Sequence, residues 1–287
     1  MVKLTPSLVA VALCVALSGC NPAEQQDPQV IINTNPYPST YHALPNATTL
    51  LKNAIVLTGT GERVDNADVL IKDGKISAVG QQLPAEGAVV IDAKGKWITP
   101  GIIDVHSHLG VYPSPNAESH NDGNEMTNPV TAEVWAEHSV WPQDPGFNRA
   151  REGGITTLQI LPGSANLIGG RGVTLKNIPA TTMQAMKFPQ APYGLKMACG
   201  ENPKRVYGGR KQAPSTRMGN VAAYRASWIQ AQRYIRDWEQ YEQKMAKEQS
   251  SDAEDDGNSA LAAALIKPPK RDLELETLAG VLRGEIL

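Results

Sequence analysis

The run Asp104-Val105-His106-Ser107-His108 combines residue types that do chemistry with a spacing that brings them together. Along an extended strand alternate side chains share a face, so Asp104, His106 and His108 point one way while Ile103, Val105 and Ser107 point the other. Two imidazoles about 7 Å apart on such a strand can converge on one divalent cation. Neutral imidazole suits zinc, which favours nitrogen and sulfur donors. Spacing alone leaves a second reading open, that of two hydrogen-bonded structural histidines.

Further polar residues compete for roles near this pair. The segment Asn166-Leu167-Ile168-Gly169-Gly170-Arg171-Gly172 reads as a glycine-rich loop after a strand, and it lacks the Gly-Lys-Ser/Thr ending of a phosphate loop. Two readings stand for it: a turn that needs positive φ, or a substrate-binding loop. In the second, Arg171 clamps a substrate carboxylate through two parallel hydrogen bonds, with Asn166 beside it. Residues 110–141 carry Glu118, His120, Asp122, Glu125 and His138, a content that invites a second metal site. Scattered solvated side chains on a long loop account for it more simply.

The elements that must position these residues change character along the chain. From Leu50, short β-rich runs follow one another: Ala54 to Leu57, Asp68 to Ile71, Lys75 to Val79 and Ala88 to Ile91. Asp73-Gly74 between two of them is a two-residue hairpin turn, so residues 50–100 are expected to form a small antiparallel sheet module. After Pro100-Gly101 the rhythm lengthens. Strands are expected at Ile102 to Leu109, Ile155 to Leu161 and Gly194 to Cys199, with a helix from Gly146 to Glu152 between the first two. Alternating strands and helices imply parallel βαβ units, in a doubly wound sheet or a barrel. Asn220 to Gln249 reads as a long helix with a charged, solvated face, Ser250 to Ser259 as an acidic loop, and Leu273 to Leu282 as a last helix. Gly284 to Leu287 has the look of the start of another strand.

Within this frame the residues from Trp97 to His108, Trp-Ile-Thr-Pro-Gly-Ile-Ile-Asp-Val-His-Ser-His, preceded by Val89 to Gly95, resemble the entry to the amidohydrolase superfamily of metal-dependent hydrolases, particularly its imidazolonepropionase-like members. Asn148 to Thr157 resembles the helix and strand that follow there. The resemblance implies an α/β fold, a partial (β/α)8 TIM-like barrel over residues 101–287 preceded by a small β-sandwich segment over residues 50–100. It implies that His106 and His108 bind a divalent metal, zinc first among the choices, as one or two ions at the C-terminal end of the first barrel strand. Asp104 would then stand behind them or anchor the strand. The next expected ligand is a bridging carboxylate or a carboxylated lysine from a later strand. Glu201 shares parity with Leu195, Met197 and Cys199, which makes it the candidate carboxylate, whereas Lys196 lies on the opposite face. The alternative for Glu201 is a loop carboxylate paired with Arg205.

The expected reaction is hydrolysis of an amide, cyclic amide or related C–N bond by metal-activated water. A metal-dependent deaminase on the same scaffold stays open. The family's later histidine ligands and its carboxylate base have no counterpart here, since no His follows Glu201. A complete barrel takes about 250 residues, more than follow position 100. The expectation is therefore a chain cut short inside the barrel and inactive alone, the base lying beyond Leu287. Of a different class is a non-catalytic metal-binding or structural lipoprotein.

That last reading rests on the N-terminus. Lys3 precedes an apolar run from Leu8 to Leu17, too short to span about 30 Å of hydrocarbon but suited to an export signal over residues 1–19. Leu17-Ser18-Gly19-Cys20 resembles the bacterial lipobox, in which Cys20 would be lipidated, and Asn21 after it implies the outer membrane, on its periplasmic side. A plain signal peptide is the alternative. Residues 20–49, rich in Pro, Asn, Gln and Thr, read as a lipidated flexible tether with no structure assigned. With Cys14 in the signal and Cys20 lipidated, Cys199 is the one thiol left, so no intrachain disulfide is expected.

Composition narrows the partners. Hydrophobic residues make up 41% of the 287, enough for a packed core, and the net charge is only −2. Nothing in that balance attracts a phosphate backbone, so nucleic acid is not an expected partner. A small-molecule substrate and, through the anchor, a membrane are. A homo-oligomer is compatible with the sequence.

Overall fold

The computed structural model describes residues 35–251 and 266–287. Cys20, the export signal and most of the acidic segment from Ser250 to Ser259 lie outside the described residues. No described helix is long and apolar enough to cross a membrane.

The first sheet comprises β1 (Thr49–Leu57), β2 (Arg63–Lys72), β3 (Lys75–Gly80), β4 (Val89–Asp92) and β5 (Trp97–Ile98). Its order is β3-β2-β1-β4, with β5 also on β1. The β2–β3 hairpin turns at Asp73 and Gly74, both at positive φ (52° and 71°), as its Asp-Gly signal requires. The antiparallel expectation holds for β1, β2 and β3 and fails beyond them. Strands β4 and β5 run parallel to β1: the connection after β3 brings the chain back to the start of β1, and β5 then continues along the same strand beyond β4. Ala54, Val56, Ala67, Val69 and Ala93 make the core of this module. Among the described residues it is a single sheet, not a closed sandwich.

The second sheet has the order β6-β7-β8-β9, from β6 (Ile102–Ser107), β7 (Ile155–Ile160), β8 (Ile168–Lys176) and β9 (Gly194–Met197). Helix α1 (Pro145–Glu152) links β6 to β7 in one parallel βαβ unit. Asp144 caps α1, its carboxylate accepting from the Gly146 N–H at 2.8 Å. The next two pairings, β7–β8 and β8–β9, are antiparallel, which corrects the expectation of parallel units throughout. The cause is a strand that glycines conceal. Most of the segment expected to be a glycine-rich loop is the first half of β8, where a Cβ at Gly170 would collide with the Val134 carbonyl. Leu158, Ile160, Val173, Leu175 and Phe147 pack the core behind this sheet.

Three further helices complete the described body after the single turn α2 (Met183–Met186): α3 (Glu201–Gly209), α4 (Arg217–Ser251) and α5 (Leu273–Leu282). Helix α4 buries Ala231, Tyr234, Trp238 and Tyr241 on one stripe. Ala231 and Leu278 of α5 pack with Ile168 of β8. Of the last four residues, expected to start another strand, Gly284 and Glu285 instead turn back on α5, the Glu285 N–H donating to the Gly280 carbonyl at 2.9 Å, and only the final two run on beside β9. Leu287 donates to the Tyr193 carbonyl at 2.9 Å and accepts from the Leu195 N–H, which aligns it with β9. Residues 35–41, expected to be part of an unstructured tether, instead lie along the second sheet's periphery, with Ser39 donating to the Lys187 carbonyl at 2.6 Å.

Candidate metal centre

Strand β6 delivers the two histidines at its C-terminal end, His106 inside the strand and His108 just past it. Their ring centroids are 5.2 Å apart and the rings nearly perpendicular. The Asp104 carboxylate accepts from the His106 backbone N–H at 3.1 Å, which tightens the strand just before the first imidazole. The end of β7 sets the second. His108 Nδ1 lies 2.8 Å from the Leu161 carbonyl, so it carries the proton and donates, leaving Nε2 as a free lone pair. Burial pushes the His108 pKa down, with the Lys196 and His106 charges acting the same way, against the Leu161 hydrogen bond that raises it. A depressed pKa keeps the ring in its neutral, ligating form.

Strand β9 contributes the residue that parity set aside. Lys196 is buried, its Nζ 3.5 Å from His106 Nε2 and donating to the Pro162 carbonyl at 3.1 Å. Burial lowers its pKa from the ordinary lysine value. Glu201 is elsewhere. It opens α3 with 77% of its side chain exposed and pairs with Arg205 at 3.4 Å, one helical turn on. Strand parity does not reach Glu201, because β9 ends at Met197 and Glu201 already belongs to α3, whereas Leu195 packs against the core. A lone lysine between Leu195 and Met197 was the available signal, since an ammonium rarely sits inside an apolar strand without a task. The loop expected from Gly200 to Arg205 is helical because Pro203 falls in the first turn, where no backbone donor is needed.

Asn166 and Arg171 are buried as supports. The Asn166 amide nitrogen lies 2.5 Å from the Glu125 carbonyl, 2.8 Å from that of Asn128 and 3.0 Å from Thr131 Oγ1, so it suspends the long loop above the sheet. Arg171 donates to Thr277 Oγ1 at 3.0 Å and its guanidinium lies 4.1 Å from the centre of the Trp135 ring. Neither side chain is placed to meet a solvent-borne substrate.

That loop walls a cavity of about 480 Å³ lined by Asp122, Asn124, Glu133, Trp135, His138 and Pro162, among others. It adjoins the histidines through shared walls. The Pro162 carbonyl holds Lys196, and Asn124 accepts from Tyr112, whose ring stands edge-on 5.8 Å from that of His108. His120 stacks on Trp141 and His138 on Trp135, so neither converges with the acidic residues of the loop. Among the described residues no three His, Cys, Asp or Glu side chains form a metal-holding group. The donor set nonetheless suits a divalent ion: two adjacent imidazoles, one with its tautomer fixed by a carbonyl, beside a buried lysine.

Comparison with known proteins shows what the chain is similar to. The amidohydrolase tasK of Hapsidospora irregularis is 33% identical over 266 residues, covering 83% of this chain and 26% of that protein. The crystal structure of an amidohydrolase from Thermotoga maritima matches with a TM-score of 0.68 and 37% identity, over 83% of this chain and 56% of that one. The chain is a homologue of amidohydrolases. The D-hydantoinase of Geobacillus stearothermophilus is 48% identical over 62 residues, 22% of this chain. This homologue thus spans about a quarter of tasK and just over half of the Thermotoga amidohydrolase. No family model matches it.

Proposed function

We propose that the chain forms the histidine-bearing part of a metal-dependent amidohydrolase that cleaves an amide or cyclic-amide C–N bond. One observation carries the reading: His106 and His108 lie side by side at the end of β6, with the buried Lys196 amine 3.5 Å from the first. A divalent ion, zinc first, would be held by the two Nε2 atoms and would supply water acidified toward a pKa of about 7. Lys196 takes the place that sequence parity gave to Glu201. In the family a carboxylated lysine serves as a bridging ligand, and a neutral buried amine is the form that adds carbon dioxide, losing a proton to give a carbamate. The chain's other residues position: Leu161 holds the His108 tautomer, Asp104 the His106 backbone, and the cavity beside them receives the substrate.

No proton-accepting carboxylate joins His106, His108 and Lys196 among the described residues, so the 287-residue chain alone is proposed to turn over negligibly. We further propose that the whole protein is held by a lipid on Cys20 at the periplasmic side of the outer membrane. The test is elemental analysis of the whole protein with its hydrolysis of hydantoin and dihydropyrimidine rings. One or two zinc-like ions per chain are expected, lost together with hydrolysis in His106→Ala and in His108→Ala. A metal-free, folded protein, or either variant with unchanged metal and activity, overturns the reading.

A further inference from the structure

The segment that reads from sequence as a solvated tether is pinned beside the cavity by one buried lysine. Lys187 Nζ lies 2.9 Å from Asn35 Oδ1 and 2.6 Å from the Tyr37 carbonyl, both on the segment. On its other side it meets Glu137 at 2.9 Å and the Tyr193 hydroxyl at 2.5 Å. The Tyr193 hydroxyl in turn donates to Glu137. The Lys187 and Glu137 side chains are 4% and 0% exposed, so water does not readily replace a lost partner. Thr40 donates to the Gln184 carbonyl and Ser39 to that of Lys187, which fixes the segment along α2 at two more points.

Fixing the backbone there fixes Tyr37. Its ring stands edge-on to Trp135 at 5.7 Å and to His138 at 4.8 Å, and those two rings are stacked on each other. Trp135 and His138 are also walls of the cavity beside the histidine pair. Trp135 precedes and His138 ends the single turn Ala136–His138, a short element that β8 meets through the bridge from Trp135 to Arg171. We propose that residues 35–41 are a positioning strap: Lys187 fastens them to the sheet, and Tyr37 holds the Trp135–His138 wall of the cavity in place. The contacts stand apart from the hydrolase reading; only their consequence for turnover rests on it.

Hydrogen exchange on the full 287-residue chain tests this without any activity. The His138 and Ser139 amides donate to the Trp135 and Ala136 carbonyls and report the wall; the Leu158 and Ile160 amides of β7 report the sheet. In Tyr37→Ala the wall amides are expected to exchange about tenfold faster with β7 unchanged, and Tyr37→Phe, which keeps the ring contacts, returns them to the native rate. Native rates in Tyr37→Ala, an equal acceleration in β7, or no rescue by Phe overturns the proposal. Should Tyr37→Ala not fold, the double variant Asn35→Ala/Ser39→Ala removes two pins and no wall residue. A several-fold acceleration confined to His138 and Ser139 supports the strap, and unchanged exchange there refutes it.

Discussion

Lys196 and Glu201 are close in sequence and opposite in surroundings. One is buried against His106; the other points into solvent with an arginine one turn away. The contrast gives a paired expectation for the whole protein: Lys196→Ala lowers bound metal by about tenfold or more, whereas Glu201→Ala leaves it within about twofold, as removal of a surface ion pair should. Elemental analysis of the purified variants decides it, and the reverse order would reject Lys196 as a ligand. Asn166 was legible as an important residue but not for its role, because local sequence does not reveal which carbonyls a buried amide will meet. Its amide links Glu125, Asn128, Thr131 and Asn124, so Asn166→Ala strands several buried acceptors. A loss of about 2–3 kcal/mol is expected in urea unfolding, with an unchanged slope. The His-x-His pair itself was legible because strand periodicity alone brings its rings together.

At the scale of elements, what the sequence disclosed was local and what it hid was not. Three of the four β-rich runs fall within β1 to β3 and the fourth overlaps β4 from Val89, the Asp-Gly hairpin is in place, and the helix boundaries at Leu273 and Leu282 agree with the apolar pattern. Strand direction has no local signature, so the antiparallel β7–β8–β9 order was invisible, and Gly169, Gly170 and Gly172 disguised β8 itself. Helix α5 illustrates a competition between such local and distant effects. Glu274 lies in its first turn, where the helix dipole favours a charged carboxylate. Burial, then the charges of Glu133 and Asp272, nevertheless raise its pKa to about 7. The folded state therefore binds a proton more tightly than the unfolded chain. Its stabilising contribution is full below the unfolded value near 4.5 and is lost as pH rises through about 7. Glu274→Gln should remove that slope, leaving the variant more stable than the parent at pH 8 by roughly 1 kcal/mol once solvent screening is allowed for. Urea midpoints at pH 5 and pH 8 measure it; a parent whose stability does not fall between them contradicts the assignment.

Across the whole molecule two surfaces set how the chain meets its surroundings. The first is the docked segment, where Asn35 Oδ1 accepts from the buried Lys187 amine at 2.9 Å. The polar composition that marked residues 20–49 as a tether gave no sign of the docking seen for residues 35–41, because the fastening residue is Lys187, far along the chain. The second surface is the edge of β6 that pairs with no strand among the described residues. Ile103 is 64% exposed and Val105 67%, with Ile102 beside them, on the outermost strand of the second sheet. An unpaired, apolar edge is a template for another strand, and natural edges usually carry a charge to prevent that. The described chain offers no such charge at Ile103, so self-association that grows with concentration is expected of the 287-residue protein. Ile103→Lys puts an ammonium on the edge while leaving His106 and His108 untouched. It should shift the sedimentation-velocity profile toward monomer at concentrations where the parent forms larger species, with circular dichroism unchanged. A parent that stays monomeric at high concentration, or a variant that associates equally, would show that this edge is protected by something other than charge.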